Sequence, residues 1–461
     1  MNKITPVIYL LASFILIFIS SCKKEEGSEV ISFLTDTLFF DYGTDSGTVI
    51  LKSFGNKQSS WTISSSAPYL SINPSSGTLG PGESVTLQFV LDRSTFTSYG
   101  NYYSTLDVTY SGGSRIARLV TRVRDFQESK TYLNKDVVDA EFDQNADKII
   151  FVSANPMSLN VIQNPQNPII STLALNYIPF CVSISPSGSE AVVGHDGKVT
   201  LIDLTNLHII QTYNVTCKSF DIVHGGNGWV YVFPADQQWT KIRCINLSTG
   251  AESLSTGNSI YGNTKAKLYP PGNYIYGANN GLSPSDIEKY DISSGTAERL
   301  YDSPYHGDYD FSGDFWFLNG SYNLISRAGT SLSTSVLQSQ DLLYFGALVM
   351  PSLSGPVPRL TGMFQAVSSN KLLCIFSSGY NPSSYIADSA MYVYDATSLA
   401  ITSRIAFEPF LSTISSLPDP LVPALGQFIF GSATGTKAYA ITRAQSGVGA
   451  TTDFTLQVID Y

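Results

Sequence analysis

Charge is scarce in this chain. Asp, Glu, Lys and Arg supply 14% of its 461 residues, against roughly 25% in an average soluble protein. What charge there is leans acidic, with 27 basic and 37 acidic side chains and a formal net charge of −10. Nucleic-acid backbones need clustered Lys and Arg, so they are excluded as the main partner. Histidine is scarcer still, with four residues, and no H-E-x-x-H, G-x-S-x-G or P-loop pattern occurs. The five cysteines include no C-x-x-C pair, which removes the usual zinc frameworks. No apolar run reaches the about 20 residues that span a bilayer as a helix, and residues 31–125 show no 3.6-residue periodicity. The abundant residues are Tyr, Phe and Gly, at 27, 25 and 36, which with many Ser and Thr suit strands and turns. With 43% hydrophobic residues the chain can build sizeable cores and is not disordered.

The N-terminus reads as an address. Lys3 precedes the apolar run Val7–Ile19, which is too short to span a membrane and has the length of a signal-peptide core. It ends in Ile19-Ser20-Ser21-Cys22, which resembles a bacterial lipobox. Small residues let the peptidase close on the backbone, and the Cys22 thiol receives the lipid. The resemblance implies a signal peptide over 1–21, a tether over 22–30 and an outer-membrane lipoprotein of the cell envelope, held by its acyl chains alone. Lys23-Lys24-Glu25-Glu26 resembles the charged surface-export stretch of lipoproteins of the Bacteroidetes. The remaining cysteines, Cys181, Cys217, Cys244 and Cys374, are in an exported setting that permits disulfides. Three of them (Cys181, Cys244 and Cys374) lie in apolar strand-like runs and read as buried thiols.

Residues 31–125 alternate short strand candidates, such as Thr48–Leu51, Trp61–Ile63, Ser84–Phe89 and Thr105–Tyr110, with Gly/Pro/Ser turns. That spacing predicts an immunoglobulin-like sandwich. The order Trp61-Thr62-Ile63, Pro68-Tyr69-Leu70-Ser71, Pro74-Ser75-Ser76-Gly77, Gly82-Glu83-Ser84 resembles the BACON domain, with Tyr69 where Trp is more usual. The resemblance implies either a carbohydrate binder or a spacer beside another module. Trp61, on an alternating strand, is expected in the core.

From 126 to 461 one five-residue pattern recurs seven times: Leu159–Gln163, Val199–Asp203, Ile242–Asn246, Ile287–Asp291, Tyr322–Ser326, Met391–Asp395 and Leu456–Asp460. Positions one and four are apolar, five is polar, and position three departs from apolar only at Lys289. The last positions lie 40, 43, 45, 35, 69 and 65 residues apart. The first four gaps fit a propeller blade, and the last two predict insertions around Pro351–Pro358 and Ser412–Pro423. Each copy follows another strand candidate, and turn residues follow the motif, as in Thr205-Asn206, Ser248-Thr249-Gly250 and Ser293-Ser294-Gly295. The best-preserved copy, Ile178–Val215, resembles YVTN-type and WD-repeat propellers, which implies a fold and no particular function. The whole chain is therefore expected to be all-β, an immunoglobulin-like β-sandwich followed by a seven-bladed β-propeller. The last repeat ends after its motif strand, so Ser129–Leu133 is predicted to supply the missing outer strand and close the ring.

Functional signals are sparse. In a propeller the loops before the inner strand and after the second strand share one face. Mapping the repeats puts Trp239, Tyr261, Tyr305, His306, Tyr380 and Tyr385 there, with Asn279 and Asn280. Aromatic rings meet the CH faces of sugars and amides meet their hydroxyls, so this face is the candidate binding site. Asp308, Asp310 and Ser312 open like a calcium loop, but Trp316 and Asn319 stand where ligands belong, so no metal is assigned. No cofactor is implied and no catalytic carboxylate pair can be named. The expected activity is a non-enzymatic module for a glycan or an envelope protein. The alternatives are a propeller enzyme acting on carbohydrate and a scaffold subunit of an outer-membrane complex.

Overall fold

The computed structural model of the chain describes residues 30–41, 43–96, 101–111, 115–124, 128–235, 238–279, 282–318, 322–355, 357–379, 386–411, 421–445 and 454–461. The signal segment, Cys22 and the charged stretch after it, Asn280, Tyr380, Tyr385 and most of the insertion before Pro423 lie outside the described residues. Among the described residues there is no α-helix, and none is long and apolar enough to cross a membrane. The chain divides into two compact units, Met1–Gln127 and Glu128–Tyr461.

The first unit packs two sheets face to face. One orders Ile31–Phe33, Ser46–Ser53, Ser84–Leu91, Leu70–Asn73. The other orders Thr37–Phe40, Arg115–Arg124, Asn101–Tyr110, Ser59–Ser65, Ser76–Leu79, with its first pair parallel. Strand Ser84–Leu91 buries Leu87, Phe89 and Leu91 and exposes the residues between them, as a sheet with one covered face requires. Trp61 is buried in the shared core with Phe40, Leu51, Leu106 and Leu119. A Cβ at Gly77, which the sequence places in a turn but which lies in the strand Ser76–Leu79 directly opposite Trp61, would sit 2.9 Å from its ring, so a glycine there is what lets the indole fill that layer.

The second unit builds four-stranded antiparallel sheets from consecutive strands. In the first, Val137–Asp143, Lys148–Ala154, Met157–Gln163 and Ile169–Ala174 pair in order. The second and third share the long strand His208–His224, which ends one and begins the other. The fourth comprises Lys265–Leu268, Tyr274–Ala278, Ile287–Asp291 and Glu298–Asp302, and the fifth Phe315–Phe317, Asn323–Ser326, Thr330–Ser333 and Tyr344–Ala347. The sixth runs from Pro358–Ala366 to Ile401–Ala406. The seventh orders Thr131–Tyr132, Phe454–Asp460, Lys437–Ala444, Ala424–Gly431. Its outer strand thus comes from the start of the unit, with Thr131 opposite Leu456 and Tyr132 opposite Thr455, as the sequence predicts.

In the fifth sheet the copy Tyr322–Ser326 falls on the second strand, Asn323–Ser326, one strand out of step with the rest; in the other six sheets the recurring pattern falls on the third strand. The strand before it is buried on both sides, and this explains its unbroken apolar run. Ile150 and Val152 pack with Ala191 and Val193 of the second sheet, whereas Ile149 and Phe151, pointing the opposite way, pack with Tyr439 and Ile441 of the seventh. Equivalent shared cores join the second sheet to the third, and so on round to the sixth and seventh. An Asp at the fifth position can end its strand in a turn. Asp203 Oδ1 accepts from the Thr205 and Asn206 N–H groups, and Asp395 Oδ1 from Thr397 and Ser398. Cys181, Cys244 and Cys374 are buried free thiols.

First strands of all seven sheets line one cavity of about 420 Å³. Asp139, Glu141, Asp221, Lys265, Lys267 and Asp314 face it. Most of these groups tie neighbouring sheets together. Asp139 accepts from Val182 N at 2.9 Å, Glu141 from Ile184 N at 2.7 Å and Asp221 from Ala266 N at 2.9 Å. Lys265 pairs with Asp221 at 3.5 Å and Lys267 with Asp314 at 3.1 Å.

Candidate functional site

A second concavity, a cleft of about 520 Å³, lies between the third and fourth sheets. Trp239, Asn279 and His306 line it together with Pro284, Asp286, Glu288, Arg299 and Asp302. Three sequence-predicted residues therefore converge on one site.

Local structure explains each placement. Trp239 belongs to a two-residue strand paired with Ile260–Tyr261, Trp239 opposite Tyr261. Tyr261 packs edge-on against the indole, with ring centroids 5.4 Å apart. The ribbon props up an indole that is still 56% exposed, an unusual state for so large an apolar group. Asn279 follows the second strand of the fourth sheet, and its N–H donates to the Asp286 carbonyl at 3.1 Å, closing the hairpin. Its side chain is 1% exposed and its Oδ1 has no hydrogen-bond partner. A buried amide oxygen left unmatched costs about 1–3 kcal/mol, so this one stands ready for a donor.

The charged wall comes from the third and fourth strands of the same sheet. Asp286 Oδ1 accepts from the Ile287 N–H at 2.8 Å and from the Ser303 hydroxyl, and Oδ2 lies 3.2 Å from His306 Nδ1. Burial pushes the Asp286 carboxyl up, although the Ser303 and Ile287 hydrogen bonds oppose this. Glu288 is also pushed up by burial, against the Tyr290 hydroxyl and the Arg299 charge. Arg299 Nη2 donates to Asp302 at 2.8 Å and lies 3.7 Å from Glu288, while its buried Nε has no partner. The cleft thus holds an unmatched acceptor, an unmatched donor, three carboxylates, one guanidinium and an exposed indole.

Other predicted residues go elsewhere. Tyr261 supports Trp239 without lining the cleft. Tyr305 stacks edge-on with Tyr309 at 5.0 Å, and its hydroxyl accepts from Tyr344 N at 2.8 Å, so it packs a loop. Asp310 receives the Ser312 N–H and hydroxyl and an ion pair from Arg359. Burial works to raise its pKa, but the Ser312 bonds and the Arg359 charge outweigh it and hold the carboxyl below its usual value. A guanidinium thus occupies the side of the turn that a cation would need. Among the described residues no three His, Cys, Asp or Glu side chains are grouped to hold a metal.

Sequence reasoning missed Asp286, Glu288, Arg299 and Asp302. A signal for one existed. Glu288 is the only acid at the second position of the seven motif copies, and Lys289 the only charge at the third.

Residues 31–121 match the family model described as "Viral BACON domain", in agreement with the resemblance carried by Trp61, Pro68–Ser71 and Gly82–Ser84. No curated protein matches the chain. A solved structure titled "Kuenenia stuttgartiensis Hydrazine Synthase" is similar at 12% identity, covering 73% of this chain and 99% of that one, with a TM-score of 0.48. A likeness of that size carries nothing about function.

Proposed function

We propose that the protein is an exported, lipid-anchored, non-enzymatic binding module. A BACON sandwich precedes a seven-bladed propeller, and the Trp239 face of the propeller takes a glycan. The closed-ring reading is supported by the cores shared between successive sheets, by the core shared between the seventh and first, and by the cavity that all seven first strands line. The lipid anchor and envelope location are supported by the Ile19–Cys22 pattern.

One observation carries the binding site: the exposed Trp239 indole and the buried, unmatched Asn279 Oδ1 line the same cleft. An indole face suits the CH side of a sugar ring, and a bare amide oxygen suits a sugar hydroxyl. The cleft's size favours a glycan over a protein partner. About 520 Å³ is in the range of small-ligand sites, whereas stable protein interfaces spread over about 800 Å² per partner. The carboxylates argue for binding over hydrolysis, since Asp286, Glu288 and Asp302 are each held by protein donors. A glycan array probed with the mature chain tests the proposal. Trp239→Ala and Asn279→Ala, checked for unchanged folding, are each expected to lose at least about tenfold in affinity. Retention of every array hit by both variants would refute the site.

A further inference from the structure

We infer that the cleft between the third and fourth sheets selects glycans that carry a free amine. This inference rests on the glycan reading above and adds the class of sugar.

The selection follows from which charges in the cleft are spent and which are available. Three carboxylates, Asp286, Glu288 and Asp302, face one guanidinium, Arg299, and one imidazole, His306, which lies against Asp286. Arg299 directs Nη2 at both Asp302 and Glu288, so its charge is already used within the wall. A uronic or sulfated sugar would add negative charge beside three carboxylates, while the basic side chains it would meet, Arg299 and His306, already face Asp302, Glu288 and Asp286; the single buried Arg299 Nε donor is all that is left to it. An ammonium meets the opposite situation. Asp302 is 40% exposed on its side chain at the rim and can accept a further donor, since a carboxylate has room for about four. Asn279 Oδ1 has no donor of its own. An ammonium has three protons to give and accepts none. The Trp239 indole opposite adds an attraction that the neutral sugar lacks, because its π face favours a cation.

N-acetylation would undo this match. It removes the charge and places a carbonyl oxygen, an acceptor, against carboxylates that are acceptors too. Hydrogen bonds from a charged donor are roughly twice as strong as neutral ones, so the free amine is expected to be preferred by at least about tenfold.

Three β-1,4-linked tetrasaccharides with a common backbone separate the possibilities: those of glucosamine, N-acetylglucosamine and glucose. Titration calorimetry with the mature chain, at a slightly acidic pH that keeps the amine protonated, should give the tightest binding for the glucosamine oligomer. Its advantage should shrink as salt is raised. Asp302→Asn should remove most of that advantage and Asp302→Glu should keep it, while Trp239→Ala should weaken all of the oligomers that bind. Equal or tighter binding of the acetylated or neutral oligomer overturns the amine selection and leaves the glycan reading standing. So does an array on which other glycans bind at Trp239 while all three oligomers fail. An array with no hit at all defeats both. An amine preference that survives in both Trp239→Ala and Asp302→Asn would be general attraction to an acidic chain, and would also overturn the assignment.

Discussion

Lys289 interrupts an otherwise apolar position of the repeat, and its environment makes a sharp prediction about stability. Its ammonium and the Asp341 carboxylate are 2.8 Å apart with both side chains fully buried. Asp341 also accepts from the Tyr276 and Tyr301 hydroxyls and the Ser335 N–H, at 2.8 to 2.9 Å. Tyrosine rings surround the ammonium, that of Tyr274 at 4.5 Å and that of Tyr276 at 5.0 Å. The pair joins the fourth sheet to a connection of the fifth. Lys289→Met leaves a buried carboxylate without its countercharge, and Asp341→Asn leaves a buried ammonium without one. Each should cost about 3–5 kcal/mol, or on the order of 6–10 °C in Tm for a unit of this size. The double variant should cost no more than either single one. Its second change deletes the orphaned charge, and an asparagine oxygen still accepts the Ser335 and Tyr276 donors. Coupling of several kcal/mol is therefore expected in a double-mutant cycle. Scanning calorimetry and urea titration of all four proteins measure it. If the single costs simply add in the double variant, the two charges are energetically independent and the reasoning fails.

Glu141 faces the cavity lined by the seven first strands, and burial pushes it up to about 8. Above the unfolded value near 4.5 the folded chain holds a proton that the unfolded chain releases, so stability falls as pH rises from about 4.5 to about 8 and then levels off. Glu141→Gln, which keeps an acceptor for Ile184 N, should flatten that part of a Tm-against-pH curve, and an unchanged slope would place its source elsewhere. Asp139, pushed up by burial to about 6, should add a smaller slope of the same sign at lower pH, removable by Asp139→Asn. Deleting residues 129–134 removes the outer strand of the seventh sheet, with buried Leu133 and the fully buried Lys130 side chain that reaches Glu408 at 3.0 Å. Calorimetry should show a larger loss than an equal deletion in an exposed turn of the same unit. Cys22→Ala should move the protein from the membrane to the soluble fraction and abolish labelling by a fatty-acid analogue, and persistent membrane labelling would sink the lipid-anchor reading.

The fold was readable because its causes are local. An unbroken apolar strand such as Lys148–Ala154, buried on five successive residues, can exist only where both faces are covered. An Asp or Asn at the fifth position with Ser or Thr after it closes its own turn, as Asp203 and Asp395 do. Even the borrowed outer strand could be inferred, because a sheet ending in an unpaired edge calls for one. The site was harder because its partners are distant in the chain. Trp239 and Arg299 belong to different sheets, and nothing near either announces the other. Aromatic content alone could not separate Trp239, which is half exposed, from Tyr305, whose ring and hydroxyl are both engaged in packing.

Glu288 and Lys289 show where sequence could have gone further. Adjacent strand residues point to opposite faces, and in this sheet the two faces meet different neighbours. Tyr290, on the Glu288 side, packs with Tyr231 and Phe233 of the third sheet. Ile287, on the Lys289 side, packs with Phe315 and Leu324 of the fifth. Two consecutive charges in a repeat strand therefore cannot serve one purpose. Glu288 must look toward the third sheet, where the Trp239 ribbon stands, and so enters the cleft wall. Lys289 must look toward the fifth, where only a buried countercharge makes it tolerable, and Asp341 supplies it. Lys289 at an otherwise apolar position, next to the one acid at the second, thus marks both boundaries of the fourth sheet at once, one as a candidate binding site and the other as a closed ion pair.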